Sequence, residues 1–122
     1  MRLSRSSHRW PRPKATNPIP TGAIKAGLIH YAKGLARHYA KQKLRTNVVS
    51  PGMVYFEGGA WHMVEKEFPD YFKQSIARNP TGRCATPQEV ANATVFLASP
   101  ASSYTTGINM LVDGTISRRV NF

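Results

Sequence analysis

The 122-residue chain has one cysteine, Cys84, and no acidic residue before Glu57. A single cysteine excludes an internal disulfide framework and a cysteine-based zinc site, and it fits a reducing compartment. No apolar run approaches the roughly 20 residues that a membrane-spanning helix needs. The shortage of acid sets the charge: 17 Lys plus Arg stand against 6 Asp plus Glu, a formal +11. Residues 1–56 hold eleven basic side chains, and residues 57–122 hold six of each sign. At 41% hydrophobic residues the chain is too apolar for a disordered polyelectrolyte, and its length allows one domain at most.

Residues 1–20, MRLSRSSHRWPRPKATNPIP, carry four prolines and five basic residues with no regular apolar period. This predicts a basic, disordered or extended arm. Its Arg and Ser content resembles an organellar transit peptide, but Pro11 and Pro13 break the amphipathic helix such a peptide needs. An arm built for nucleic acid would interleave cations with stacking aromatics, and only Trp10 and His8 are present. Nucleic acid is therefore a poor expectation.

From Thr21 the pattern is regular. Ile24, Leu28, Tyr31, Leu35 and Tyr39 recur at spacings of 4, 3, 4 and 4, one helical stripe over about residues 21–43, with Lys33, Arg37 and Lys41 on a solvated face. Residues 44–50, LRTNVVS, read as a buried strand stopped by Pro51-Gly52. Residues 53–63 read as a glycine-hinged loop lined by Tyr55, Phe56 and Trp61. A short helix is expected over residues 69–78 and is closed by Pro80. Thr86-Pro87-Gln88-Glu89 is a capping box, with proline at the first helical position, for a helix over residues 87–98 that is apolar enough to be largely buried. A strand at residues 108–112 and a turn at Asp113-Gly114 follow. Strand, helices and strand form a right-handed crossover, so the class is α/β with two parallel strands and packed helices. Two parallel strands are a poor unit on their own, and the fold needs strands that the sequence does not supply.

Lys25, residues 45–52 (RTNVVSPG), Gly82-Arg83, residues 86–91 (TPQEVA), residues 96–99, residues 103–107 and residues 112–114 stand in that order. Together they closely resemble the C-terminal part of the short-chain dehydrogenase/reductases, over about residues 21–122. The resemblance implies a C-terminal fragment of a doubly wound Rossmann-type fold, preceded by an unrelated arm at residues 1–20. It implies NAD or NADP as cofactor, a small-molecule substrate, a homo-oligomer, a cytoplasmic place and no membrane. In the family's Tyr-x-x-x-Lys motif the lysine lowers the tyrosine's pKa and holds the nicotinamide ribose. Lys25 matches that lysine, and Thr21 stands at the tyrosine. Pro51, Gly52 and the Val54 backbone match the segment that meets the nicotinamide carboxamide, with Phe56 where the family often has threonine. No glycine-rich turn or strand-end serine precedes Thr21, so the resemblance implies an oxidoreductase fragment that is inactive alone. A frameshift, a truncated gene or an alternative start would each account for the boundary at Pro20.

Other constellations carry weaker expectations. His62 and Glu65, with Glu67 near, have a metal-like spacing but no third ligand, and no metal is expected. Cys84 beside Arg83 is a thiol whose pKa the arginine would lower, although an inert thiol is the plainer reading. Trp61 and Phe56 either wall a substrate pocket or serve as core contacts. The alternative function is a basic interaction module that binds polyanions through the arm and the Lys33, Arg37, Lys41 face, or pairs with an intact relative through its sheet edge.

Overall fold

The structure, a computed structural model, describes residues 20–118. The expected arm therefore lies, Pro20 apart, outside the described residues. The elements in chain order are α1 (Pro20–His38), β1 (Val48–Pro51), α2 (Ala60–Glu67), α3 (Pro69–Arg78), α4 (Pro87–Ala98) and β2 (Asn109–Val112). Two 3-10 turns lie at Ala40–Gln42 and Pro100–Ser102.

The strands are parallel, with Val48 opposite Asn109 and Pro51 opposite Val112. The strand expected over residues 44–50 is shorter at its start. Residues 46 and 47 bond to the opposite segment through side chains: Thr106 Oγ1 accepts from the Thr46 N–H at 3.1 Å, and Asn47 Nδ2 donates to the Thr105 carbonyl at 3.0 Å. Pro51, expected to stop β1, is its last residue. Val48 and Gly52 donate to Ile108 and Val112 at 2.9 and 3.0 Å, so residues 49 and 51 point to the outer edge. A missing N–H costs nothing there.

Helix α1 docks through small residues to one side of the expected stripe. Ala32 and Ala36 are buried, whereas Ile24 is 61% and Tyr31 63% exposed. The small residues dock because a backbone comes close to them. A Cβ placed on Gly107 would lie 3.1 Å from Ala36 Cβ and 2.9 Å from Lys33 Cδ, and Gly107 has φ +70°. Glycine meets both demands. The α-helix stops at His38, short of the end expected near Lys43; the 3-10 turn follows, and Lys43 takes φ 60° with its N–H on the Ala40 carbonyl.

Helix α2 begins inside the loop expected over residues 53–63 and runs beyond it to Glu67. It starts from Gly59, without a side-chain cap. Helices α3 and α4 have the expected bounds. Thr86 and Glu89 make both bonds of the capping box. The burial expected of α4 is contradicted: Leu97 is buried, but Val95 is 65% and Phe96 41% exposed, because a two-stranded sheet covers only one strip of the helix. Among the described residues the buried apolar side chains are Ala32, Ala36, Met53 and Leu97.

Arg45 ties the lead into β1 to the end of α4. Its guanidinium donates to the carbonyls of Leu97 (2.5 Å) and Ser99 (3.1 Å) and to Ser102 Oγ (2.7 Å). Carbonyls at a helix C-terminus have no partner within the helix, and a cation there also meets the negative end of the helix dipole.

Candidate functional site

The C-terminal ends of both strands form the first part of the site. Gly52 passes so close to β2 that an added Cβ would sit 2.8 Å from both Cα and Cβ of Asp113. Asp113 in turn shapes the following turn, where its carboxylate accepts from the N–H groups of Thr115 (3.0 Å) and Ser117 (3.1 Å). Hydrogen bonding from Ser117, first through its side chain, holds this carboxyl below its ordinary range.

Past the turn, Val54 pairs with Ala85 in a single parallel bridge. The bonds of that bridge belong to its neighbours: Ala85 N–H donates to the Met53 carbonyl at 2.8 Å, and Tyr55 N–H donates to the Ala85 carbonyl at 2.9 Å. The Val54 N–H and C=O therefore face the other way, and among the described residues nothing bonds to them. Buried Met53 and the Gly52 contact hold the residues before this peptide, and the Tyr55 bond to Ala85 holds the residue after it.

Tyr55 and His62 fasten the next segment to α2. The Tyr55 hydroxyl donates to Glu65 at 2.5 Å, and Gly58 N–H donates to His62 Nδ1 at 2.8 Å. His62 and Glu65, the pair with metal-like spacing, are thus engaged within the segment. The bond to Glu65 pushes the Tyr55 phenol up, opposite to what a proton-donating tyrosine needs, so Tyr55 is no stand-in for the missing one. Nothing in the sequence pattern signalled this contact.

Helices α2 and α3 pack as a hairpin, with Trp61 and Tyr71 stacked at 6.4 Å and 4° between ring planes. Trp61 lines a cleft of about 590 Å³, together with Met53, Ser75, Arg78, Ile116 and Arg118. Phe56 does not line it. That ring is 51% exposed and covers Gly59, whose added Cβ would meet it at 2.8 Å.

The side chains of Lys25 and Thr21 are exposed near the start of α1 and make no hydrogen bond or ion pair with the described residues. The structure thus brings Pro51, Gly52 and Val54 together and leaves Lys25 and Thr21 in solvent. The alternative of a lowered Cys84 thiol is contradicted, and the plainer reading of an unactivated thiol fits. Partial burial and then the charge of Glu65 push it up, and the Arg83 guanidinium turns to Glu89 at 2.6 and 2.9 Å.

A family model described as enoyl-(acyl carrier protein) reductase matches residues 8–117. The chain belongs to the short-chain dehydrogenase/reductase family. Its relatives in that family include an isoepoxydon dehydrogenase of Penicillium expansum, 38% identical over 99 residues that make up 81% of this chain and 38% of that protein. Another is the 3-oxoacyl-[acyl-carrier-protein] reductase FabG of Escherichia coli, 39% identical over 75% of this chain and 36% of FabG. Among solved structures, the TT0495 protein from Thermus thermophilus has a TM-score of 0.71 at 30% identity, covering 84% of this chain and 42% of that one. YwfH, an NADPH-dependent reductase involved in bacilysin biosynthesis, has a TM-score of 0.72 at 25% identity, over 80% of this chain and 39% of its own. The chain thus spans about two fifths of its relatives' length, as a fragment of the Rossmann-type fold. None of the described helices is long and apolar enough to cross a membrane.

Proposed function

We propose that this chain carries the nicotinamide-side turn and the substrate wall of an NAD(P)-dependent oxidoreductase, and that alone it is inactive. The observation that supports this most is the Val54 peptide, whose N–H and C=O are both free and held in place by the Gly52 and Ala85 contacts. A primary carboxamide offers the matching acceptor and donor. The described residues fit that end of the cofactor and no more. Among them no Gly-x-Gly-x-x-Gly turn joins a strand to a helix N-terminus, the arrangement that seats a pyrophosphate.

When bound, a nicotinamide gives or takes a hydride. The chain's own part is to orient the carboxamide through Val54, to keep the Pro51-Gly52 turn rigid and to place the Lys25 cation by the ribose. Neither position weighed for proton transfer among the described residues serves it. A threonine hydroxyl at Thr21 is too weakly acidic to replace a phenol, and the Tyr55 phenol is pushed up. Calorimetry with NADH and NADPH is expected to give no binding heat, and tight binding of either would overturn the proposal. A reducing, cytoplasmic setting belongs to the same reading and rests on the lone Cys84.

A second reading, pairing with another copy or with an intact relative, is favoured by the open outer edge at Val49 and the exposed Ile24, Leu28 and Tyr31. Sedimentation is expected to show oligomers or aggregates. A monodisperse monomer with a cooperative melt would refute it.

A further inference from the structure

The cleft beside the α2–α3 hairpin combines three features that point to one ligand chemistry. Its charge is of one sign: Arg78 and Arg118 line it, no acidic residue does, and the ion pair found among the described residues is that of Arg83 with Glu89. Its polar group is unanswered: Ser75 is only 7% exposed, yet no donor or acceptor among the described residues meets its hydroxyl. Among the described residues no wholly buried side-chain oxygen lacks a partner, so the unpaired Ser75 hydroxyl is one that opens on the cleft and can donate into it. Its remaining walls are formed by the apolar Met53, Ala77 and Ile116 and by the rings of Trp61 and Tyr71.

We propose that this cleft binds a small organic anion: an apolar or aromatic body against Trp61 and Met53, ending in a carboxylate or phosphate. Arg78 and Arg118 hold the oxyanion, and the Ser75 hydroxyl donates a further hydrogen bond to it. Guanidinium forks match either oxyanion and bind it more strongly than neutral donors do. The inference deepens the proposed function, since it rests on α2 and α3 forming the substrate wall, and it narrows the substrate to an anion.

The test uses the full chain with Trp10→Phe, which leaves Trp61 as the only fluorophore of its kind. Benzoate should change the Trp61 emission saturably, while benzyl alcohol and acetate, each lacking one half of the ligand, should bind at least about tenfold more weakly. Phenyl phosphate against benzoate then assigns the oxyanion. Arg78→Gln with Arg118→Gln, both at exposed positions, should lower benzoate affinity by at least about tenfold with an unchanged far-UV spectrum. Ser75→Ala should weaken it less, and Arg78→Lys with Arg118→Lys should restore part of the loss. Absence of saturation, equal binding of benzyl alcohol, or benzoate binding unaffected by the glutamine pair would overturn the proposal. No probe contains nicotinamide, so failure here leaves the cofactor test standing, and the reverse also holds.

Discussion

Replacing Arg45 with alanine removes four charge-assisted hydrogen bonds at once from the junction of β1 and α4, the longest of them to the Thr105 carbonyl at 3.4 Å. Such bonds contribute about 1.5–3 kcal/mol each when deleted singly. The loss here is smaller than their sum, because the acceptors keep other donors. Ser102 Oγ still donates to the Leu97 carbonyl at 2.9 Å, and Ser102 N–H still donates to the Ser99 carbonyl at 3.2 Å. With no carbonyl wholly orphaned, we expect a cost of about 2–3 kcal/mol. At a urea dependence near 1.5 kcal/mol/M, that lowers the midpoint by about 2 M. The assay is urea unfolding followed by far-UV circular dichroism at low protein concentration. Arg45→Lys should recover less than half of the loss, since an ammonium cannot span the Leu97, Ser99 and Ser102 acceptors as a planar fork does. Ser102→Ala combined with Arg45→Ala should cost more than the two singles added, because the Leu97 carbonyl keeps one donor in either single and loses both in the double. A midpoint drop below about 0.3 M, the scale of an ordinary surface change, would refute the reasoning.

Gly52→Ala should destabilise by about 1–3 kcal/mol, because its Cβ would lie 2.8 Å from Asp113 backbone and side chain and one strand end must move. Faster exchange of the Tyr55 amide, which bonds across the bridge to Ala85, would report that movement, and unchanged exchange would contradict it. Glu89 carries a pH dependence. Hydrogen bonding from Arg83, then from the Thr86 backbone, lowers its carboxyl from 4.5 to about 2 in the folded chain. A folded-state pKa below the unfolded value means a contribution fully present above pH 4.5 and lost as pH falls from there toward 2. Melting temperature should drop across that window, and Glu89→Gln should flatten the drop. An identical drop in the variant would place the acid sensitivity elsewhere.

The sequence made those parts of the fold legible that local chemistry decides. Pro69 and Pro87 each sit at the first position of a helix, and the Thr86–Glu89 box fixes the start of α4, so both helices have the bounds their residues announce. Helix α2 escaped notice because Gly58-Gly59 precede it, no side chain caps it and AWHMVEKE has no clean stripe. Burial was least legible. Ile24, Leu28 and Val95 look like core residues by periodicity, but a residue is buried only if another layer lies over it. At the site, Pro51, Gly52 and Val54 are near in sequence and were recognisable as a block. Ser75, Arg78 and Arg118 meet Trp61 only through tertiary structure, and no spacing links them.

The two outer edges of the sheet differ, and that difference governs how copies of the chain would join. One edge presents Asn47, Val49 and Pro51, and the other presents Asn109, Leu111 and Asp113. Pairing one with the other is a head-to-tail contact, which does not close on itself and adds copies in a line. Pro51 offers no N–H, and Asp113 brings a charge whose oxygens already hold Thr115 and Ser117. Both lie at the same end of their strands, so the ladder between copies would hold for only two or three residues before it parted. The sheet invites linear growth and at the same time keeps each joint weak.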